Sequence, residues 1–516
     1  MDSAKAPVET RQRLPRVLGP WMTTAIVIGT VIGSGVFKKP YAVSSSVPEF
    51  AMVIAVWVLG GLLAGSGALA LAEVNILFPR AGGNYVFLRE GYGRFAGFLW
   101  GWVEFWIIRT GSIAALASVF AEGFHDVLRQ ARNLEEGTRV FSFWTQQGLT
   151  VAVIMGLALV NVRGVRWSGG LQLFITLVKI GSLLAIILLP FIMLGLTSTP
   201  SAGPNTANLK PIWPEPSDKS STFPASLLNT LSTYHWGLFL KAMVGVIWAY
   251  HGWMNLGPIS EEVKDPQRNI PRGLILGVGT IILLYLGANL AYYLVVPRED
   301  ILTFGKDIPV SAIFARRLLG PIGGTLASAA IMISVFGALN GNILVGPRLL
   351  YAMGEDGMAP RFLRGVHPQY RTPATAILVM SGWASVMVII VAVAFQMHAF
   401  GDPDKAGSKP PFDVITDFAM FGAIALETLA VKSIFLFRIY YPNAERPYRC
   451  PGYPVVPALY FWIMACVWLN MFMTQTIESI SGIVIMLIGA ECYLLFLQKR
   501  NQPPFTLAPA KPQAAE

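Results

Sequence analysis

The chain has 516 residues, 54% of them apolar and 13% charged, with a formal net charge of +10. The charged fraction is about half of what soluble globular domains carry, and apolar runs of about 20 residues, long enough to cross a bilayer, recur throughout. That excludes an ordinary soluble protein, and it moves the excess of lysine and arginine from a nucleic-acid surface to the cytoplasmic loops of a polytopic helical membrane protein. Cys450, Cys466 and Cys492 are scattered, with neither metal-ligand spacing nor a disulfide framework.

Twelve spans are predicted, near residues 18–46, 50–77, 95–122, 145–162, 167–195, 236–260, 273–297, 322–352, 373–396, 412–437, 455–473 and 478–498. Segment 1 follows a basic tail (Lys5, Arg11, Arg13, Arg16). It is long and no convincing small-x-small cleavage site follows, so it reads as a retained span and not a signal peptide. Segments 1, 6 and 8 are too long or too glycine-interrupted for single straight rods. In segment 1 the stretch Val31-Ile32-Gly33-Ser34-Gly35-Val36 lies mid-membrane. Each glycine costs roughly 1 kcal/mol relative to alanine in a helix, and backbone groups freed by a break need partners beside protein or a water-filled cavity. Two readings fit: half of a substrate site, completed by Trp248-Ala249-Tyr250-His251-Gly252 in segment 6, or close helix packing through small residues.

With a cytoplasmic N-terminus, the inside loops and tails hold 22 lysines and arginines and the outside loops 11. Both termini are therefore expected on the cytoplasmic side. The outside loop 196–235 is rich in Pro, Ser, Thr and Asn and reads as an irregular connection. The tail 499–516 is Pro- and Ala-rich and reads as disordered. Segments 1 and 6 each open a block of five spans; five is odd, so the second block is expected inverted relative to the first. The organisation expected is a cytoplasmic tail 1–16, a first repeat 17–195, an extracellular loop 196–235, a second repeat 236–440, segments 11 and 12 over 441–498, and a cytoplasmic tail 499–516.

Gly29-Thr30-Val31-Ile32-Gly33-Ser34-Gly35-Val36-Phe37 is followed by Ala72-Glu73 and the run Phe78-Pro79-Arg80-Ala81-Gly82-Gly83-Asn84-Tyr85. Further on come Trp248-Ala249-Tyr250-His251-Gly252-Trp253, Glu261-Glu262-Val263-Lys264-Asp265-Pro266 and Asn269-Ile270-Pro271-Arg272. Asn340-Gly341, Pro347-Arg348, Gly357-Met358-Ala359-Pro360 and Arg446-Pro447-Tyr448-Arg449 complete the series. In this order and spacing the motifs resemble the amino acid–polyamine–organocation superfamily, in its L-type and cationic amino-acid transporter branch. The resemblance implies an all-α membrane fold of twelve helices, a five-plus-five inverted repeat with helices 1 and 6 broken.

An amino acid presents a carboxylate and an ammonium one carbon apart, and both must be satisfied away from bulk water. The N–H groups at Gly33, Ser34 and Gly35, at the start of a half-helix, suit the carboxylate. Freed carbonyls at Val31 and from Trp248 to His251 suit the ammonium, and glycine lets the ligand approach closely. The resemblance assigns these same roles, so the expected substrate site is Val31, Ile32, Gly33, Ser34, Gly35, Trp248, Ala249, Tyr250, His251 and Gly252. It also implies that Trp248 is the aromatic gate and that Gly111, Ser112 and Asn255 line the pocket. His251 departs from the glycine, alanine or aspartate common in relatives. It is read as narrowing the pocket and disfavouring lysine or arginine, as a protonation switch, or as merely satisfying broken backbone.

Lys179 is a charge near the middle of an apolar span, a functional residue by default. By resemblance it matches the helix 5 lysine of sodium-independent members, placed where sodium-coupled relatives hold an ion between helices 1 and 8, and it is the candidate coupling residue. Glu104 and Arg109 are expected to form a structural ion pair and Glu73 to act as an anchor; Glu427 and Lys432 receive no role. The five histidines are scattered, so neither a metal nor a cofactor is expected, and no Walker loop is present. Residues 123–144 lack the cysteine through which animal relatives bridge to an ancillary glycoprotein, so no disulfide-linked heavy chain is expected, and no nucleic acid. The function expected is sodium-independent secondary transport of L-amino acids, neutral ones first, across the plasma or inner membrane by alternating access, as an exchanger or a proton-coupled symporter. Cationic amino-acid or polyamine transport is the alternative within transport, and a transporter-like sensor without turnover the alternative of another class. A membrane enzyme is disfavoured because no nucleophile, base and orienting group stand at suitable positions.

Overall fold

A computed structural model describes residues 14–132, 134, 138–196, 204–213, 235–306, 308–397 and 411–497. The tails beyond these limits and most of the 196–235 loop lie outside the described residues. The described chain is all-helical. Its first half contains α1 (Pro20–Val31), α2 (Gly35–Ser46), α3 (Phe50–Leu77), α4 (Asn84–Tyr92), α5 (Arg94–Val103), α6 (Arg109–Ala131), α7 (Phe143–Val162) and α8 (Val165–Leu196). Then come α9 (Trp236–Tyr250), α10 (Pro266–Val295), α11 (Arg298–Phe304), α12 (Val310–Leu319), α13 (Pro321–Val345) and α14 (Pro347–Glu355). The last four are α15 (Ala374–Gln396), α16 (Pro411–Tyr440), α17 (Val455–Thr474) and α18 (Thr476–Phe496).

Among the described residues, 11 helical segments are long and apolar enough to cross a membrane. The twelfth expected span, 236–260, contains only α9 as regular helix. Its 15 residues rise about 22 Å at 1.5 Å per residue, short of the roughly 30 Å hydrocarbon core. The remainder is two short 3₁₀ turns, Trp253–Leu256 and Ser260–Glu262. Segment 1 is broken as well, at Ile32–Ser34, while segment 8 is only interrupted at Gly346, whose backbone stays helical ahead of Pro347. Segment 7, expected from residue 273, starts at Pro266, because a proline at the first helical position has its φ preset and has no N–H to leave unpaired.

Segment 3 differs in a way the sequence pattern did not announce. Between α5 and α6 it makes one π-helical turn, Glu104–Ile108. A π turn closes hydrogen bonds between residues five apart, and here the Arg109 N–H donates to the Glu104 carbonyl. The side chains of Glu104 and Arg109 are thereby stacked, although on an α-helix residues five apart point in different directions.

Outward faces carry apolar side chains such as Phe191, Leu283, Met473 and Phe496, all exposed as lipid contact requires. The main packing pairs among the long helices are α6 with α13, α3 with α10 and α1 with α10. One end of the bundle is closed by charge and backbone together. The N–H groups of Val17 and Leu18 donate to the Glu262 carbonyl at 2.9 and 3.0 Å, and that of Lys264 donates to Leu18 at 2.9 Å. The fully buried Arg348 side chain meets the Glu262 carboxylate at 2.9 Å. Glu73, expected as an anchor, sits at the same end, receiving Arg438 at 2.9 Å and the Cys450 N–H at 2.7 Å. Burial and the Glu73 charge push the Cys450 thiol up to about 11, so it stays protonated at neutral pH.

Candidate functional site

The break in segment 1 is centred on Gly33. Its N–H turns back to the Val31 carbonyl at 2.7 Å, where a continuing helix would have bonded to Gly29. The carbonyls this turn leaves behind are taken up by neighbours. Lys179 of α8 donates from Nζ to the Gly29 and Ile32 carbonyls at 2.7 and 2.6 Å. Ser334 of α13 donates to Ile32 at 3.2 Å or to Gly33 at 3.3 Å. Lys179 is fully buried and its Cε lies against Gly337 of α13, so its ammonium is wedged between α1 and α13. At the second break, His251 leaves the helix with ψ 142° and Gly252 takes φ +115°, a left-handed conformation that favours glycine.

The two breaks touch. Thr30 Oγ1 lies 3.2 Å from the Gly252 carbonyl. The Tyr285 hydroxyl of α10 sits 3.1 Å from both the Val31 and the Ala249 carbonyls. A Cβ on Gly35 would fall 2.5 Å from the Ala249 Cα. Backbone cannot yield as a flexible side chain does, so Gly35→Ala is expected to separate α2 from α9. The measurable result is substrate binding weakened at least tenfold together with a lowered unfolding temperature.

Between the breaks lies a small cavity, about 30 Å³, lined by Thr30, Val31, Gly33, Ser34, Gly35, Ser112, Leu116, Trp248, His251, Gly252, Asn255 and Asn342. The Ser34 hydroxyl is buried there with no hydrogen-bond partner among the described residues, and an unsatisfied buried polar atom of this kind calls for a ligand or a water. The Trp248 and His251 rings lie parallel, 6.1 Å between centroids and 4° apart. Behind His251, on α16, the Glu427 carboxylate meets the imidazole Nε2 at 2.8 Å. Behind Asn255 and Asn342, Arg109 donates to their side-chain oxygens at 2.9 and 2.6 Å and to Glu104 at 2.8 Å. The π turn thus aims a neutralised ion pair at the floor of the cavity and uses it to orient two amides of the wall.

Of the residues expected at the site, Val31, Gly33, Ser34, Gly35, Ser112, Trp248, His251, Gly252 and Asn255 share this cavity. Ile32 is buried with its carbonyl held by Lys179 and Ser334. Ala249 packs beneath Gly35. Tyr250 turns away to pack edge-on against Trp57 and beside Tyr285. Gly111 faces a second, mostly apolar cavity between α6, α7 and α15. Lys179 is outside the cavity wall, one layer behind it. The carbonyls of Val31, Ile32, Trp248 and Ala249 already accept hydrogen bonds within the protein. An incoming ammonium would have to use a second lone pair of such an oxygen or displace a donor.

Sequence reasoning missed Glu427, Tyr285, Asn342 and Thr30 as members of this assembly. The first two had a signal, being polar groups in apolar spans, but nothing in the chain said which face of α16 or α10 turns inward. Lys432, left without a role, places its ammonium 4.4 Å from the Phe461 ring centre, away from the cavity.

Mid-membrane helix breaks that face each other across a small polar cavity define a carrier with discontinuous helices, the architecture secondary transporters use to hold polar solutes. The chain belongs to the amino acid permease family, whose family model matches residues 18–493. It is 30% identical to the serine/threonine exchanger SteT of Bacillus subtilis (strain 168), over 93% of this chain and 96% of that protein. It is 26% identical to the cystine/glutamate transporter of Homo sapiens over 98% of this chain and 89% of that one. With the Asc-type amino acid transporter 1 of Mus musculus it shares 26% identity, over 96% and 83% respectively.

Proposed function

We infer that the chain is a sodium-independent secondary transporter of neutral L-amino acids, working by alternating access. The observation that carries this reading is the cavity itself. The start of α2, the end of α9 and the backbone of both breaks converge on it, and its side chains offer hydroxyls and amides with no aspartate or glutamate in the wall. A zwitterion of no net charge suits that lining, and a lysine or arginine side chain would find no carboxylate to pair with directly. SteT is by name a serine/threonine exchanger, and the small polar wall fits amino acids of that size and polarity.

Against sodium coupling stands the Lys179 amino group, which already donates to the carbonyls of the break between α1 and α13. At about 30 Å³ the cavity has room for one or two waters only, so substrate enters when a wall moves. Trp248 is the large movable side chain of that wall, and we assign it the gate. The repeat division at 17–195 and 236–440, with the second half inverted, makes the two broken helices symmetry equivalents. The lysine and arginine distribution supports cytoplasmic termini in the plasma or inner membrane, and the lack of cysteine in 123–144 supports action without a disulfide-linked heavy chain.

The test is uptake of a labelled amino-acid panel by purified protein in liposomes, with and without internal substrate and with sodium replaced by choline. Small neutral amino acids are expected to be taken up equally in both salts, and Trp248→Ala to weaken apparent affinity by about tenfold, the scale of one lost aromatic contact. Sodium dependence, or uptake confined to lysine, arginine or polyamines, would overturn the assignment. Binding without flux would make the protein a sensor.

A further inference from the structure

The residue that faces the cavity and carries an ionisable partner is His251, not Lys179. Among the described residues the hydrogen-bond partners of Lys179 are the Gly29 and Ile32 carbonyls; it has a structural engagement and no acid beside it. His251 has one ring nitrogen on Glu427 at 2.8 Å and its ring in the wall beside Trp248. Both side chains are almost completely removed from solvent, at 12% and 4% exposure.

Among the described residues, the charged and titratable groups that face this pair from other elements are Glu104, Arg109 and Tyr460. Glu104 and Arg109 face it from the π turn and the start of α6. Tyr460 of α17 faces Glu427. On α16 itself Asp417 is ten residues away, about 15 Å along the helix, and is held by Gln475 at 3.0 Å. Glu104 and Arg109 form a salt bridge with each other and cancel. The charge of the site is therefore set by His251 and Glu427: minus one when the imidazole is neutral, zero when the two hold one further proton between them. A buried site of low dielectric disfavours net charge, and a zwitterionic substrate adds none.

We propose that the His251–Glu427 pair is a proton-binding site, loaded with one proton from solution per cycle and discharging it on the opposite side of the membrane with the amino acid. This rests on the transport reading above and specifies its coupling. The mechanical argument lies in where His251 stands. It is the residue at which α9 ends and the left-handed Gly252 begins, while Glu427 sits on the uninterrupted α16. A rotation that carries the end of α9 away from α16 lengthens the 2.8 Å contact. The separated carboxylate and imidazolium are then exposed to the water path, where the imidazolium gives its proton to water. Re-formation of the pair takes a proton from hydronium on the other side. No other bond is made or broken. The contact therefore ties a conformational step to a protonation step.

Liposomes holding a pH-sensitive dye and the purified full chain test this. Wild-type uptake of a neutral amino acid is expected to acidify the interior, and to rise severalfold as external pH falls from about 8 to about 6, the span over which an imidazole titrates. In Glu427→Gln, acidification per amino acid is expected to fall at least fivefold and the pH profile to flatten. Glu427→Asp, which restores an ionisable partner, should recover the profile. If Glu427→Gln does not fold, His251→Gln carries the same expectation of a flat profile. Wild-type exchange with no proton movement, or a wild-type pH profile in Glu427→Gln or His251→Gln, would overturn the proposal while leaving the transport reading intact. If no amino acid crosses at all, both fall together.

Discussion

Replacing Lys179 with alanine or methionine is expected to reduce amino-acid uptake to a few per cent of wild type and to lower the unfolding temperature. The reason is local. The Gly29 carbonyl lost its helical donor when Gly33 turned back to Val31, and the Lys179 ammonium supplies the replacement at 2.7 Å. Removing the ammonium leaves a buried carbonyl unsatisfied, at about 1–3 kcal/mol. The Ile32 carbonyl fares better because Ser334 still reaches it at 3.2 Å. Methionine nearly keeps the volume between α1 and α13, so it isolates the lost hydrogen bonds from the lost packing. Paired measurements of uptake in liposomes and thermal unfolding distinguish the two contributions. A methionine variant that transports at the wild-type rate would show that the break in segment 1 holds its shape without this donor, and Lys179 would then be a packing residue and nothing more.

The second large effect is expected at the closed end of the bundle. Arg348→Met strands the Glu262 carboxylate in a fully buried site, and removing one partner of a buried pair costs about 3–5 kcal/mol. The same Glu262 accepts the backbone N–H groups of Val17 and Leu18 through its carbonyl. Loss of the pair is therefore expected to loosen the whole seam and to favour the state open on that side. Hydrogen–deuterium exchange reads this directly: amides in 17–19 and 262–264 should exchange at least tenfold faster than in wild type, with α13 itself unchanged. Uniform acceleration across the chain would instead indicate global destabilisation. Replacing both Glu262 and Arg348 by leucine should restore stability, since no charge is then left buried, but not the seam's specificity.

Much of this arrangement is legible in the residues through the order and spacing of the motifs and not through glycine alone, since Gly65-Ser66-Gly67 repeats the Gly-Ser-Gly triplet inside the unbroken α3. Gly33, Gly35 and Gly252 mark the two breaks, and nine of the residues expected at the site line one cavity. Segment 6 is shorter as regular helix than its composition suggests, because an apolar run does not report that the chain after Gly252 continues as 3₁₀ turns. The pairing of Glu104 with Arg109 follows from their being opposite charges in one span, but its consequence does not. Only a π turn stacks residues five apart, and it is that turn which delivers Arg109 to Asn255 and Asn342. Glu427 could not be assigned from the sequence. Its partner is 176 positions away, and the polar residues of α16, Asp417, Glu427 and Lys432 among them, do not share one face that would fix its rotation. Tyr250 and Ala249 fall on the wrong side for the same reason: consecutive helical residues point about 100° apart, so a contiguous motif cannot all face one ligand.

The Tyr285 hydroxyl, equidistant from the Val31 and Ala249 carbonyls at 3.1 Å, has one hydrogen to give and two acceptors that want it. It serves one oxygen at a time, and turning about a single bond hands it to the other. A ligand ammonium that claims the Val31 oxygen, the one of the two that borders the cavity, therefore displaces no hydrogen bond, because the hydroxyl swings to Ala249. The broken strands of backbone are held in place before a ligand arrives, and the number of bonds holding them does not fall when it binds. Tyr285→Phe should remove this accommodation, leaving the Val31 carbonyl with the Gly33 N–H alone and the Ala249 carbonyl without the hydroxyl in the empty carrier, and so penalising the empty state relative to the loaded one.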